Sequence, residues 1–267
     1  MKTYLTLSAI ALAATAVLSS TGAVAEEAAA APVPDIAVTS NVGITSDYRF
    51  RGISQNNRSP SIQGGFDVAF NKVGLYLGTW GSNVNAWTAG DGSMEWDLYG
   101  GYKTEIAGIA IDLGAIAYTY PGTTKSYKSN TQEAYLGFGY GPAAFKVSYV
   151  LGKNYFASTS DTAAKKDASG TIYYDLTLSQ ELAPKLVASV HAGYTDYKDK
   201  NVTAYVTNKF SYADYNVGLA YDLNGYVFGA KYFWNDTKKG TESWATSAVD
   251  GTKLYKSGVA VSLTKAF

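Results

Sequence analysis

The sequence predicts an all-β fold, a transmembrane antiparallel up-and-down β-barrel of about 12 strands and of the outer-membrane type. Four observations predict it. From Ile36 to Phe267, long segments alternate apolar and polar residues, as Tyr215, Val217, Leu219 and Tyr221 do against Asn216, Gly218 and Ala220. Most reach the roughly ten residues that a tilted strand needs to cross a bilayer, against about five or six in a soluble sandwich. One face of these segments is greasy, while the other carries Gly, Asp, Glu, Ser and Lys, which suits lipid outside and water inside. The connections, finally, alternate between tight turns and long polar loops.

The elements follow in order. Lys2, an apolar run over 5–17 and Ala23-Val24-Ala25 before Glu26 read as a secretory signal peptide, residues 1–25. Residues 26–34, with their alanine run and Pro-Val-Pro, read as a periplasmic linker, and 35–267 as the barrel. Strands are expected at 36–50, 61–70, 73–81, 93–103, 108–120, 131–140, 143–155, 170–181, 184–196, 211–222, 224–235 and 254–267. Asn71-Lys72, 104–107, Gly141-Pro142, 182–183 and Asn224-Gly225 are the tight turns. The loops 51–60, 82–92, 121–130, 156–169, 197–210 and 236–253 are longer and polar, and are expected on the outside of the cell.

Alternation assigns the faces. Ile62, Phe66, Val68 and Phe70 are expected toward lipid, as are Met94, Trp96 and Leu98, then Phe145, Val147 and Tyr149. Gln63, Gly65, Asp67, Glu95, Asp97, Lys103, Lys146 and Ser148 then point into the lumen. In the last segment Val259, Val261, Leu263 and Phe267 share a face, and a terminal aromatic after alternating apolars resembles the C-terminal signal of bacterial outer-membrane proteins. Composition agrees with this picture. Mean hydropathy is only −0.10 although 46% of residues are hydrophobic, because 23 Tyr and 27 Gly carry much of the chain. Tyrosine suits a membrane interface, with an apolar ring and a wet hydroxyl. There is no cysteine, so closure must come from backbone pairing. Without Lys2 the mature chain has 22 − 1 = 21 basic against 22 acidic residues, a balance that argues against a nucleic-acid partner.

The sharpest local signal is Ser46-Asp47-Tyr48-Arg49-Phe50-Arg51-Gly52-Ile53-Ser54-Gln55, followed by Gln63-Gly64-Gly65. It holds Arg49 and Arg51, and the remaining arginine, Arg58, lies just beyond. Counting from Val42 and Ile44, Tyr48 and Phe50 are expected to face lipid, with Asp47, Arg49 and Arg51 in the lumen. There the arginines either form an ion-pair network with Asp67, Glu95 and Asp97 that partly fills the barrel, or line a constriction that selects solutes by charge. Pore-lining candidates are Asp47, Arg49, Arg51, Asp67, Glu95, Asp97, Glu133, Lys146, Asp175 and Lys231.

This segment, the Gln-Gly-Gly after it and the exported barrel pattern resemble the TorF family, porin-like exported proteins of Gram-negative bacteria with uncharacterised function. The resemblance implies an outer-membrane location and a channel role. It implies no catalytic residue and no particular substrate.

Hydrolysis by an outer-membrane barrel would need a histidine, and the chain has one, His191, on the same strand face as Ser189. Leu186, Ala188, Val190 and Ala192 take the lipid face there, which puts His191 in the lumen, away from lipid esters and beside barrel carboxylates. One histidine and no cysteine speak against a transition-metal site, so neither metal nor cofactor is expected. Gly137, Gly139 and Gly141 sit on a strand with no helix behind them, unlike a phosphate cradle. The expectation is therefore a passive channel for small polar solutes rather than an enzyme. The alternative is a structural or recognition barrel with a filled lumen and working extracellular loops. Partners would be outer-membrane lipid and lipopolysaccharide, the barrel-assembly machinery during insertion, and the solutes.

Overall fold

Alternating strands leave each other's backbone groups to be paired, and in lipid the only complete solution is closure. The computed structural model describes residues 34–85, 92–123, 129–156, 167–198, 211–237, 245–247 and 250–267. The expected signal peptide and almost all of the linker lie outside them. The strands are β1 (Ile36–Thr45), β2 (Arg49–Phe50), β3 (Ile53–Ser54), β4 (Ser61–Phe70), β5 (Leu75–Asn83), β6 (Met94–Ile106) and β7 (Ile109–Thr119). They continue as β8 (Thr131–Tyr140), β9 (Ala143–Val150), β10 (Ile172–Ala183), β11 (Leu186–Asp196), β12 (Tyr212–Leu223), β13 (Tyr226–Asn235) and β14 (Gly258–Ala266). All but β2 and β3 form one closed antiparallel barrel of 12 strands, in which β14 pairs with both β13 and β1, and β1 pairs with β4. No described helix is long and apolar enough to cross a membrane.

The tight turns sit where alternation breaks. Asn224 and Gly225 (φ 56° and 78°), and Ala107 and Gly108 (φ 52° and 81°), have the two positive φ values of a type I′ hairpin turn, which matches the strand twist. One of these turns therefore falls a residue or more beyond the 104–107 that composition suggests. Burial inverts the rule for water-soluble proteins. Ile62 is 66% exposed and Leu77 62%, while Glu95 and Asp97 are 1% and 0% exposed. Outward Leu77, Leu98, Leu113, Leu136, Leu176, Val217 and Val261 form a band. Tyr102, Tyr140, Tyr226 and Phe267 edge it at the tight-turn end, and Trp96, Tyr149, Tyr174 and Tyr194 near the other, the aromatic girdles of a bilayer-spanning barrel.

Three expected strand bounds fail by four residues or more: β9 ends at Val150 rather than 155, β14 begins at Gly258 rather than 254, and the first strand is the case with consequences. The first strand stops at Thr45 rather than reaching residue 50, and the chain turns into the barrel. Tyr48 and Phe50 do not face lipid; they are 1% and 7% exposed and belong to an internal aromatic cluster with Trp80, Tyr99, Tyr118 and Tyr120. Strands β2 and β3 form a small hairpin, Arg49 paired with Ser54 and Phe50 with Ile53. Its turn is Arg51-Gly52 (φ 47° and 75°), again type I′. Alternation of Tyr48 and Phe50 with Asp47, Arg49 and Arg51 is genuine, but it belongs to this inner hairpin and not to a membrane strand.

Interior glycines make room for interior tyrosines. A Cβ at Gly193 would overlap the Tyr173 hydroxyl, and one at Gly78 would overlap the Tyr99 ring. Each ring thus lies over a glycine of the neighbouring strand.

Candidate functional site

The inward hairpin is the centre of the site, and it touches much of the barrel wall. Tyr48 Oη donates to Glu95 Oε2 on β6 (3.0 Å), and Phe50 packs edge-on to Tyr118 at 5.5 Å between centroids. The Tyr212 hydroxyl donates to the Arg51 carbonyl (2.8 Å), and Asn235 reaches the Gly52 carbonyl at 3.5 Å. The Ser54 amide donates to the Leu254 carbonyl (3.0 Å). Gly52 is required twice over, by its positive φ and because a Cβ would run into the Asp214 side chain at 2.6 Å.

The arginines have different tasks. Arg49 Nε donates to Asp47 Oδ2 (2.8 Å) and its Nη1 to the Lys256 carbonyl (2.8 Å), which ties the hairpin to the segment before β14. Ser54 Oγ holds the other Asp47 oxygen at 2.6 Å. Arg51 reaches across to β8. Its Nη1 and Nη2 donate to the two oxygens of Glu133 (2.9 and 2.8 Å), and Nη1 also donates to the Tyr155 hydroxyl (3.0 Å). The guanidinium stacks over Tyr173, 4.2 Å from the ring centroid, and Phe50, at 4.7 Å. A planar fork matched to a carboxylate and sandwiched by rings is the arrangement arginine satisfies and lysine does not. The expected ion partners are therefore corrected. Arg49 pairs with Asp47 and Arg51 with Glu133, while Asp67, Glu95 and Asp97 take no arginine among the described residues.

Those three carboxylates do point inward, with tyrosines for company. Asp67 accepts from Tyr99 Oη (2.7 Å), and Glu95 from Tyr48 and Tyr120 (3.0 and 3.2 Å). Among the described residues, neither oxygen of Asp97 has a hydrogen-bond partner.

Toward the tight-turn end the lumen is more open and more evenly charged. Lys103 Nζ stands 4.0 Å from Asp112, which accepts from Tyr76 Oη at 2.7 Å. Lys146 lies opposite Asp175 in the β9–β10 register, and Lys231 faces inward from β13. His191 is held between two carboxylates, Nδ1 3.4 Å from Asp175 and Nε2 3.2 Å from Asp214. Thr177 and Tyr173 hydroxyls complete its surroundings at 3.2 and 3.3 Å. Ser189 lies opposite Ser179 and Gly218.

All ten expected lumen residues are thus inside, but at two levels. Asp47, Arg49, Arg51, Glu95, Asp97 and Glu133 lie in a packed upper zone at the long-loop end, each less than a tenth exposed, and Asp67, Lys146, Asp175 and Lys231 below it in partial contact with solvent. Tyr173, Asp214, Glu133's phenol donor Tyr118 and Arg51's phenol acceptor Tyr155 escaped sequence reasoning. For Tyr118 and Tyr173 the one signal was tyrosine on the inward parity of a strand, where a purely aqueous lumen has no use for a ring; Tyr155 lies beyond the end of β9.

Residues 27–267 match the model of a bacterial protein family of unknown function, Gcw_chp. No curated protein matches the chain. Among solved structures, one described under "Unveiling the Mechanism Behind the in-meso Crystallization of Membrane Proteins" is 10% identical with a TM-score of 0.51, covering 86% of this chain and 83% of that one. The KdgM porin in complex with disordered oligogalacturonate is 7% identical, TM-score 0.50, covering 86% and 99%. The NanC porin is 8% identical, TM-score 0.49, covering 86% and 99%. At such identities the likeness concerns the fold alone.

Proposed function

We propose that this chain, which belongs to the Gcw_chp family, is a porin-like outer-membrane channel for passive diffusion of small polar solutes, narrowed at its long-loop end by the inward hairpin. The observation that carries this reading is the inversion of faces. A band of Leu, Val and aromatic residues lies outside, and a column of Asp, Lys and His lies inside a closed barrel. Water-filled interiors of that composition are the property of outer-membrane channels. About eight strands leave an interior filled by side chains and sixteen or more an open pore, so twelve give a bore that one short hairpin can obstruct. The TorF resemblance supports the same role, since the residues that carry it, Ser46 to Gln55, contain that hairpin. The fold shared with a porin is consistent with it.

The burial of Arg51 and Glu133 favours a second reading, a barrel whose lumen stays filled and whose loops do the work. Catalysis by His191 is a distant third, because its two ring nitrogens are both engaged by carboxylates. Swelling of liposomes that contain the refolded protein separates the first two. Entry of small sugars or amino acids supports a channel; swelling no faster than in protein-free liposomes, for wild type and for a hairpin-released variant alike, supports the filled barrel.

A further inference from the structure

Buried carboxyl groups outnumber buried cations in the upper lumen. Asp47 is matched by Arg49 and Glu133 by Arg51, each pair at 2.8 Å. Glu95 and Asp97 remain, two residues apart on the inward face of β6, at 1% and 0% exposure. Glu95 has phenol donors from Tyr48 and Tyr120 but no cation within ion-pair distance among the described residues. Asp97 has not even donors among the described residues: both carboxylate oxygens are buried and unpartnered there. An ionised carboxylate without a partner is among the costliest groups to bury, so such a group either takes up a proton or is given a counter-charge, and only the second makes a cation site. The flanking residues suit a cation. Trp80 and Tyr118 stand opposite Asp97 on the adjacent strands, both inward and almost fully buried, and ring faces attract positive charge.

We propose that Asp97, with Glu95 beside it, is a binding site for one small monovalent cation, an alkali ion or ammonium. A small ion is proposed because Tyr48, Trp80, Tyr118 and Tyr120 around the two carboxylates are each less than a tenth exposed, which closes the site to bulky ions from solvent. Single charge follows from the ligand set. No group of three or more His, Asp or Glu among the described residues is arranged to hold a metal ion, and a divalent ion such as Ca²⁺ takes about six to eight oxygens, several of them carboxylate. The site would fix positive charge under the hairpin whether or not the lumen conducts, so it stands independently of the channel reading.

The test is thermal unfolding of refolded full-length protein in detergent, in KCl, NH4Cl or N-methylglucamine chloride at one ionic strength. The bulky organic cation cannot enter the site. The apparent melting temperature should be higher by about 2–4 °C in the small-cation salts, because a ligand that binds only the folded state stabilises it by mass action. Asp97→Asn should abolish that difference, and should melt above wild type in N-methylglucamine because the uncompensated charge is gone. Should Asp97→Asn fail to fold, a K⁺ titration of wild type at constant ionic strength decides. A saturating rise in melting temperature supports the site. Equal melting in all three salts, a non-saturating response, or a cation effect that persists in Asp97→Asn overturns it. A response to ammonium alone or to potassium alone identifies which cation the site takes.

Discussion

Removing the Arg51 side chain should release the inward hairpin, and the size of the effect can be worked from its contacts. In the docked state Arg51→Ala loses two hydrogen bonds to Glu133 and one to Tyr155, together with stacking on Tyr173 and Phe50. Glu133, only 1% exposed, then stays buried without its cation. Breaking a buried pair on one side costs about 3–5 kcal/mol. Tyr118 still reaches Glu133 at 3.4 Å, and Tyr48, Phe50 and Ile53 still pack, so the lower end is appropriate. At about 1.4 kcal/mol per factor of ten, roughly 3 kcal/mol raises the undocked fraction about a hundredfold. The assay uses the absence of native cysteine. A reporter Ser54→Cys, fully buried on the hairpin, is labelled with a maleimide in the folded protein with and without Arg51→Ala. Labelling follows the open population while reclosing outpaces reaction. Arg51→Ala should speed it about a hundredfold, and Arg51→Ala/Glu133→Ala should speed it less than the two single effects combined, because the pair is coupled. A labelling rate unchanged by Arg51→Ala would mean that this ion pair does not hold the hairpin.

Three further outcomes are expected. The protein should fractionate with outer membranes and show heat-modifiable mobility on gels, and deletion of β14 should abolish insertion by leaving β1 and β13 as open edges; recovery of the intact protein as a soluble periplasmic monomer would contradict this. An epitope at Lys239-Gly240, outside the described residues, should be reached by antibody on intact cells, whereas one in the Asn224-Gly225 turn should need permeabilised cells. Gly193→Val should lower the melting temperature, since overpacking against Tyr173 costs about 1–3 kcal/mol, while Gly139→Ala, whose new methyl would meet only Ala110 at 3.5 Å, should melt close to wild type.

Much of this architecture was legible because lipid enforces a strict code. Each barrel strand must hide its backbone and show lipid a greasy face, so Ile62-x-x-x-Phe66 and Met94-x-Trp96-x-Leu98 fix parity, and parity fixes Glu95 and Asp97 inside. The 61–70 and 131–140 bounds agree with the structure residue for residue. What misled was the stretch after Thr45. Tyr48 and Phe50 have the period of a strand, and period alone does not say whether the greasy face meets lipid or an aromatic core. The turn signal was there in Arg51-Gly52, but arginine is seldom the first residue of a type I′ turn, where Asn or Asp is usual. The partner of Arg51 was beyond reach for another reason. Glu133 is 82 residues away, and the barrel closure that brings them together depends on every intervening register.

Single-channel recording in planar bilayers under a KCl gradient, on wild type and on the folded Arg49→Ala/Arg51→Ala double variant, tests the central claim most directly. A channel narrowed by its own hairpin predicts small discrete steps for wild type. The double variant should give larger steps with selectivity moved toward cations, because the barrel keeps its carboxylates and loses two positive charges. Protein that inserts and stays silent in both forms, or passes identical currents with identical selectivity, would contradict it.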